Sequence, residues 1–151
     1  KLYTRAALDE KLSSIHQYSL LNQKNYSILL LDIDHFKNIN DTYGHLVGDQ
    51  VLNRIGPVLR YNIREVDIAA RYGGEEFLIV LPDLDSENTK KIGERIQQSL
   101  KSTNFPIEHV LTVSAGIASN QETQDVMELL GLADERLYRA KNTGRNRIID
   151  D

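Results

Sequence analysis

The sequence contains no cysteine and no tryptophan, and only three of its 151 residues are proline. Without cysteine, the chain has no disulfide, no thiolate nucleophile and no cysteine-ligated zinc site. No purely apolar run is longer than five residues, whereas a membrane-spanning helix needs about 20. The formal net charge of −4 argues against general binding to nucleic acid backbones, which requires a basic surface. We therefore expect neither a nucleic acid polymer nor a membrane as a direct partner of this chain.

The rest of the composition is that of an ordinary globular domain, with 40% hydrophobic and 26% charged residues. No repeat, low-complexity tract or linker-like segment divides the chain, so we predict a single domain over residues 1–151. The sequence opens abruptly at Lys1-Leu2-Tyr3, inside an apparent helix, which indicates a domain excised from a longer protein. Because no signal peptide is present, we expect a cytoplasmic location. The full protein could still be membrane-anchored, with this domain on the cytoplasmic side.

Hydrophobic periodicity predicts alternating helices and strands in the first half of the chain. Apolar residues at helical spacing predict a first helix near 4–22, and YSILLLDID is typical of a buried strand that ends in two aspartates. The polar segment HFKNINDTYGH predicts a short helix broken by Gly44. Gly48 and Asp49 then open the next helix, with Asp49 as its N-cap.

The second half begins with a predicted hairpin, because two apolar runs flank Gly73 and Gly74 in VDIAARYGGEEFLIVLP. A two-residue Gly-Gly loop fits a type I′ turn, in which both residues need positive φ. A helix over 86–100, a strand at VLTVSAGIAS, a helix that Gly144 closes and a last short strand at RNRIID follow. The order α-β-α-α-β-β-α-β-α-β predicts an α+β fold in which helices cover a mostly antiparallel sheet.

Four acidic residues stand at the ends of predicted strands: Asp32 and Asp34 after the first, and Glu75 and Glu76 after the glycine pair. If these strands are neighbours, three or four carboxylates converge and repel one another unless a cation lies between them. Oxygen ligands without nearby histidine or cysteine favour Mg²⁺ over zinc. Because Mg²⁺ keeps open positions for water and phosphate oxygens, the pattern favours two-ion phosphate chemistry.

A simpler interpretation stays open at this point. A glycine turn followed by acidic residues is commonly a solvent-exposed hairpin without any chemistry. We also expect that Asp32 and Asp34 do not both point into one site, so that Asp34 is a structural group such as a helix cap or a solvated charge. Glu75 and Glu76, as neighbours in the chain, likewise point in different directions.

Two longer motifs, RYGGEEF and DIDHFKNINDTYGHLVGD, resemble those of the GGDEF family, the diguanylate cyclases of bacteria. LYTRAALDEKL is similar to the opening helix of the family, TVSAGIA to a late strand and ADERLYRAKNTGRNRI to its closing segment. Thr4 departs from the asparagine that the family commonly has there, and the usual Asp-x-Leu-Thr-Gly lead is absent. The resemblance implies a central five-stranded sheet like that of the nucleotide-cyclase and polymerase palm, with a ferredoxin-like core and the signature hairpin beside the first strand.

The resemblance also implies a metal site with two Mg²⁺ ions, for which Mn²⁺ is an alternative. Its expected ligands are Asp32 and Glu75 through their side chains and Ile33 through its backbone carbonyl. Glu75 is in addition the expected acceptor of the 3′-hydroxyl proton. Glu76 is expected to support the metal site, and Lys37 to stabilise the transition state.

Substrate contacts are implied in the same way. Asn40 and Asp49 are expected to read the guanine edge, because an amide offers both a donor and an acceptor and a carboxylate accepts from the guanine N1–H and amino group. Adenine would turn an acceptor toward the Asp49 carboxylate, which is repulsive. The other expected contacts line the pocket or neutralise phosphate charge: Phe36, Lys37, His45, Gly74, Lys141 and Arg145. Without the resemblance, these positions would be interpreted as helix caps, surface side chains and a loop histidine.

The implied reaction joins two GTP molecules into cyclic di-GMP and releases two pyrophosphates. Each domain binds one GTP, so the reaction needs a transient homodimer of catalytic domains, which an upstream sensor domain in the full protein would control. Arg64 and Asp67 match the RxxD product-inhibition motif of the family at its usual place before the signature. Arg95 is a further candidate contact to bound cyclic di-GMP.

Two rival functions remain at the level of the sequence. Some GGDEF-like domains have lost catalysis and bind GTP or cyclic di-GMP as receptors, usually with a damaged signature, whereas Gly73 to Phe77 are intact here. A mixed cyclic dinucleotide or a cyclic mononucleotide would be another product, but Asp49 favours guanine on both halves. We therefore favour an active diguanylate cyclase.

Overall fold

The computed structural model describes residues 2–151, and one sheet of five strands lies at its centre. The strands are β1 (Tyr26–Ile33), β2 (Ile68–Arg71), β3 (Glu76–Pro82), β4 (Val113–Ser119) and β5 (Ile148–Ile149). They lie side by side in the order β2-β3-β1-β4-β5. Three of the four neighbouring pairs are antiparallel and only β4 and β5 are parallel, which confirms the mostly antiparallel sheet.

Within residues 2–151 five helices cover the sheet, and the predicted order of elements is confirmed. They are α1 (Arg5–Asn22), α2 (Phe36–Tyr43), α3 (His45–Asn62), α4 (Ser86–Ser102) and α5 (Val126–Asn142). No helix within residues 2–151 combines the length and the apolar composition that crossing a bilayer requires. The architecture is therefore the expected α+β fold with helices against a central sheet.

Helices pack on both faces of the sheet, which explains why every residue of β1 is buried. Odd-numbered residues of β1, such as Leu29 and Leu31, pack in one cluster with residues of α2, α3 and α4. Even-numbered residues, such as Ile28 and Leu30, pack in a second cluster with residues of α1 and α5. The alternation places the even-numbered Asp32 on the side of α5, at the end of the central strand.

The N-terminal segment differs from the prediction of a chain that opens inside a helix. Tyr3 pairs as a parallel bridge with Ala70 of β2, and α1 begins only at Arg5. Thr4 is the N-cap of α1, because its hydroxyl accepts a hydrogen bond from the Ala7 amide at 3.1 Å. Lys1, the first residue of that prediction, lies outside the described residues.

The predicted start of α3 is also wrong. The helix begins at His45, directly after Gly44, so Asp49 lies inside the helix and is not its N-cap. Gly44 has φ 90°, a conformation that favours glycine, and this residue alone separates α2 from α3. The sequence pattern ended the first helix correctly at Gly44 but opened the next one only at Gly48, and that residue is buried between the two helices instead.

Candidate active site

The signature hairpin lies beside the end of the central strand. Strand β3 pairs with β1 so that Asp32 stands opposite Glu76. One residue further, the Ile33 amide donates a hydrogen bond to the Glu75 carbonyl at 3.2 Å. The two acidic segments, at the end of β1 and in the hairpin, are therefore neighbours in the fold, as the sequence analysis assumed.

A cleft of about 250 Å³ opens at this end of the sheet. It collects carboxylates from β1 and the hairpin, cations from α2 and from the end of α5, and part of the turn between β1 and α2. Of the residues predicted for the site, the cleft brings together Asp32, Ile33, Phe36, Lys37, Glu75, Lys141 and Arg145. It is also lined by three residues to which the sequence gave no role in the site, Asp34, His35 and Asn38.

Asp32 is the electrostatic centre of the cleft. Only 3% of the residue is exposed, and burial raises the pKa of its carboxyl group to about 6. Lys141 counteracts this rise, because its Nζ lies 2.8 Å from Oδ2, while the negative charge of Glu75 adds to it. The other oxygen, Oδ1, is buried without a hydrogen-bond partner. A buried carboxylate oxygen without a donor is suited to a cation.

The residues present fit a Mg²⁺ site that is completed by ligands from outside the protein. Among residues 2–151, no group of three or more histidine, cysteine, aspartate or glutamate side chains is arranged to hold a metal ion. Asp32, Glu75 and the Ile33 carbonyl make two carboxylates and one backbone oxygen. Mg²⁺ is commonly held by one or two carboxylates, with water and substrate phosphates in its remaining positions.

Glu76 lies next to the cleft but does not line it. Because it stands opposite Asp32 in the antiparallel pair, both side chains leave the same face of the sheet. Burial, and then the charge of Asp32, raise the pKa of Glu76. A side chain at Gly73 would collide with it, since a Cβ atom there would lie 2.9 Å from Glu76 Oε1.

Asp34 occupies a different place from the one predicted. Residues two apart on a strand share a face, and Asp32 and Asp34 both line the cleft, so the expectation that they do not share a site is wrong. Asp34 is nevertheless engaged within the protein. Its carboxylate accepts hydrogen bonds from the hydroxyls of Thr112 (2.7 Å) and Ser114 (2.6 Å) and from the Asn146 amide (2.9 Å).

The hairpin turn is not the predicted type I′ turn. Neither Gly73 nor Gly74 has positive φ, and the loop includes Glu75 before β3 begins at Glu76. Arg71 determines this shape, because its guanidinium donates to the Gly73 carbonyl at 3.3 Å and to the Gly74 carbonyl at 2.6 Å. The longer loop moves Glu75 out of the strand alternation and into the cleft beside Asp32.

A second arginine fixes the hairpin from the other side. Arg5, the first residue of α1, donates to the Tyr72 carbonyl at 2.9 Å and lies over the Tyr72 ring at 4.0 Å from its centroid. The sequence reasoning gave no role to Arg5, Arg71 or Tyr72. The sequence could have indicated these residues, because Arg71 and Tyr72 directly precede the two glycines and Arg5 lies in the opening motif.

The residues predicted to read guanine lie apart from the cleft, where α2 meets α3. Asn40 packs against Gly48, and a Cβ atom on that glycine would lie 1.9 Å from Asn40 Oδ1. His45 begins α3, and Asp49 follows one turn later, with both residues exposed. The close approach of the two helices at Gly48 thus places an amide, an imidazole and a carboxylate at one helix junction.

The two remaining phosphate candidates differ in how they are held. Lys37 is an exposed residue in the first turn of α2, at the mouth of the cleft. Arg145 lies after α5 with φ 62°, a left-handed conformation that is unfavourable for a residue other than glycine. Both residues line the cleft together with Lys141, so three cationic residues surround the carboxylates there, of which Lys141 contacts Asp32 directly.

The predicted inhibitory residues Arg64 and Asp67 lie after the end of α3, near Pro82, at the end of β3 that is remote from the hairpin. Arg64 donates to both oxygens of Asp67, the shortest distance being 2.7 Å from Nη2 to Oδ1, and also to the Pro82 carbonyl at 2.6 Å. The Asp67 side chain is fully buried, while 40% of the Arg64 side chain is exposed. Arg95 donates to the Asn62 carbonyl close by.

Comparison with known proteins agrees with this geometry. The sequence profile described as "Diguanylate cyclase, GGDEF domain" matches residues 1–147. "Probable diguanylate cyclase DgcT" of Escherichia coli is 41% identical over 130 residues, which are 82% of this chain and 29% of that protein. More generally, the chain spans between 25% and 34% of the length of the curated relatives DgcT, PleD of Caulobacter vibrioides and YtrP of Bacillus subtilis.

Solved structures show the same fold. The GGDEF domain of PA1120 from Pseudomonas aeruginosa superposes with a TM-score of 0.93 at 30% identity, covering 99% of this chain and 96% of that one. The GGDEF domain of DgcB from Caulobacter crescentus, solved in complex with c-di-GMP, gives 0.90 at 32% identity, covering 99% and 91%. The matched profile, the related sequences and the shared fold show that the chain belongs to the GGDEF family of diguanylate cyclase domains.

Proposed function

We propose that this domain condenses two GTP molecules into cyclic di-GMP and releases two pyrophosphates. The observation that carries the proposal is the buried Asp32 carboxylate, whose Oδ1 has no hydrogen-bond partner, beside Glu75 in a cleft that three cationic side chains line. A merely solvent-exposed hairpin would not need a buried, partly unpaired charge, which is costly unless a ligand completes it.

Two Mg²⁺ ions, with Mn²⁺ as an alternative, would be held by Asp32, Glu75 and the carbonyl of Ile33. When bound, they supply charge neutralisation for the triphosphate and acidify the attacking hydroxyl. Glu76, half-buried next to Asp32, would support these ligands from behind. Diguanylate cyclases of the GGDEF family depend on a metal in general, and we propose these residues as its ligands in this domain.

The reaction forms a bond between the 3′-oxygen of one GTP and the α-phosphorus of the other, and the bond from that phosphorus to pyrophosphate breaks. In this proposal Glu75 accepts the proton of the 3′-hydroxyl. Lys37, Lys141 and Arg145 bind the phosphate oxygens, and Lys37 stabilises the charge that develops in the transition state. Most of the acceleration would come from the position of the two reactants and from this charge neutralisation.

Guanine would be bound at the junction of α2 and α3. Asn40 offers a donor and an acceptor, and Asp49 accepts from the N1–H and the amino group of guanine. Four further residues would complete the path of the nucleotide from the helix junction to the hairpin: Phe36, His45, Gly74 and Lys141. Adenine would be rejected, because its ring edge turns an acceptor toward Asp49.

The direct test is to incubate the domain with GTP and Mg²⁺ and to separate the nucleotides. Cyclic di-GMP and pyrophosphate are expected from GTP and neither product from ATP. Glu75→Gln and Asp32→Asn should lower the rate by at least about a hundredfold, since each removes a charge from the reacting centre. Glu10→Gln, at an exposed position of α1, is the matched control and should retain the wild-type rate.

A domain that binds GTP or cyclic di-GMP without turnover is the alternative outcome of this test. It would be recognised by nucleotide binding in calorimetry together with the absence of product at every enzyme concentration. That result would contradict the proposed reaction and favour the receptor function.

We further propose that Arg64 forms a product-inhibition site with Arg95. Because Asp67 is buried, its part here is to orient the Arg64 guanidinium, which keeps its exposed edge for a phosphate or guanine acceptor. Arg64→Ala should raise the cyclic di-GMP concentration that halves the rate by about tenfold, the loss expected for one charge-assisted contact. Product titration of both proteins is the measurement, and equal inhibition would remove this site.

A further inference from the structure

Asp34 is a buried carboxylate that the proposed reaction does not use. It is 4% exposed, and its two oxygens accept hydrogen bonds from three different positions along the chain. Two donors, the hydroxyls of Thr112 and Ser114, come from the start of β4, at 2.7 and 2.6 Å. The third is the backbone amide of Asn146, at 2.9 Å, in the turn between α5 and β5. Asp34 therefore ties that turn to the central strand of the sheet.

The turn that Asp34 holds is conformationally unfavourable. Arg145 and Asn146 are two consecutive residues other than glycine in the left-handed region, with φ of 62° and 49°. This region is unfavourable for arginine and is tolerated better by asparagine, so the surrounding contacts must maintain the conformation, above all at Arg145. The Arg145 amide bonds to the Ala140 carbonyl at 2.9 Å, and the Asp34 bond to the next amide supplies the link to the sheet.

One residue of this unfavourable turn, Arg145, also belongs to the cleft. Arg145 lines the cleft together with Asp32, Glu75 and Lys141. We infer that Asp34 is a positioning residue that holds the turn after α5 so that the Arg145 guanidinium faces the cleft. This inference rests on the proposed function. In it, Asp34 affects the binding of the triphosphate through the position of Arg145 and does not bind a metal ion.

An aspartate is required for this task because it accepts from three donors at once. An asparagine keeps one acceptor oxygen, and this neutral oxygen accepts more weakly than a carboxylate oxygen. Thr112 and Asn146 both donate to Oδ2, so the side chain of Asp34→Asn can serve these two donors only by turning its N–H₂ group toward the Ser114 hydroxyl. We therefore expect the bond from the Asn146 amide to weaken and the turn to leave its left-handed conformation more often. The Arg145 side chain would then be held at the cleft for less of the time.

The test is a double-mutant cycle on the affinity for α,β-methylene GTP in Mg²⁺, measured by calorimetry on the whole chain. Asp34→Asn and Arg145→Ala should each weaken binding by about tenfold, the loss expected for one hydrogen bond to a charged group. The double variant should bind within about twofold of the weaker single variant, because residues that act through one another are not additive. Multiplied losses in the double variant, or wild-type affinity in Asp34→Asn, would overturn the inference.

Thr112→Val is the matched control, because it removes a hydrogen bond to Asp34 and leaves the Asn146 bond intact. It should lower the thermal stability while changing analogue affinity by less than about twofold, as expected when a structural bond is lost away from the ligand. A loss of affinity equal to that of Asp34→Asn would indicate general destabilisation, and would overturn the inference.

A second measurement does not depend on the folding of Asp34→Asn. In the wild-type chain, the Asn146 amide should exchange with solvent much more slowly than an open turn, and should stay protected in Arg145→Ala. Rapid exchange of that amide in the wild type would contradict the inference. Failure of the wild type to form cyclic di-GMP would instead contradict the proposed function, so the two failures are distinguishable.

Discussion

At the scale of single residues, the charge of the Asp32 carboxylate is only partly compensated within the protein. Lys141 forms an ion pair with Oδ2 of Asp32, while Oδ1 is left without a partner. A divalent cation and a lysine ammonium are alternative counter-ions for the same buried carboxylate. On the proposed function, entry of a metal and a triphosphate would allow Lys141 to exchange Asp32 for a phosphate oxygen.

Lys141→Gln tests this exchange. Without nucleotide or metal, the variant should unfold about 2–4 °C below the wild type, since Asp32 loses a partly buried partner worth about 1 kcal/mol. Added Mg²⁺ should raise the melting temperature of the variant more than that of the wild type, because the competing ammonium is absent. The measurement is differential scanning calorimetry with and without Mg²⁺, and equal metal shifts would contradict competition for Asp32.

A second residue-scale prediction concerns Glu122 and Arg136, an ion pair beside α5. Arg136 donates to Glu122 at 2.6 Å, and this hydrogen bond lowers the pKa of the glutamate from its ordinary value of 4.5. A lowered carboxyl pKa adds stability above pH 4.5 that is lost as the pH falls through the lowered value. Because Glu122 is partly exposed, we expect this contribution to be only about 1 kcal/mol.

Urea unfolding of the wild type and Glu122→Gln at neutral and acidic pH checks this prediction. The wild type should be the more stable protein at pH 7, and the difference should shrink toward zero on acidification. A difference that stays constant with pH would assign the effect of the substitution to packing and not to the charge of Glu122.

At the scale of elements, the site depends on how closely α5 lies on the sheet. Gly116, in the middle of β4, faces the backbone of this helix, and a Cβ atom there would lie 2.1 Å from the Ala133 carbonyl oxygen. Real Cβ atoms do not approach so closely, so α5 could not keep its place above a larger residue. The same helix carries Lys141 and leads into the turn with Arg145.

Gly116→Ala should therefore destabilise the protein by about 2–3 kcal/mol through overpacking. It should also lower activity, because α5 moves away with its cations. Gly131→Ala is the control, since a Cβ atom at that helical position meets nothing within 4 Å and should leave stability unchanged or raise it. Chemical denaturation of both variants measures the effect, and equal stability of Gly116→Ala and the wild type would contradict the close contact.

At the scale of the whole molecule, residues 2–151 present the signature carboxylates in one cleft and one set of the residues that are proposed to read guanine. The proposed product needs two nucleotides that attack each other, so two domains must face one another. The rate per chain should then rise with enzyme concentration while dimers are rare, and should level off when they dominate. A rate strictly proportional to enzyme concentration over about a hundredfold range would contradict this dependence.

The control for this prediction is nucleotide binding. Affinity for α,β-methylene GTP should not change with protein concentration, because each domain binds its nucleotide alone. In the full protein, which an upstream sensor domain is proposed to control, the same dependence would become a response to a signal.

The sequence alone determined the order of the elements and the family of the domain. Apolar runs of strand length and helical spacing are local properties, and they predicted the order of all ten elements of the sheet and its helices. The long motifs identified the family, and the carboxylates at two strand ends indicated where chemistry would lie. The start of α3 was predicted wrongly because Gly44 and Gly48 can each stand between two helices, and the local pattern does not show which of them does.

Only the tertiary structure decided which charges meet. Lys141 reaches Asp32 because α5 lies on the face to which even residues of β1 point. Arg71 supports the four-residue loop of the hairpin, a conformation that a Gly-Gly pair does not select by itself. Such contacts join residues that are distant in sequence or depend on one side-chain conformation, so no local pattern specifies them. They are nevertheless what turns a strand end into a cleft with an unpaired carboxylate oxygen.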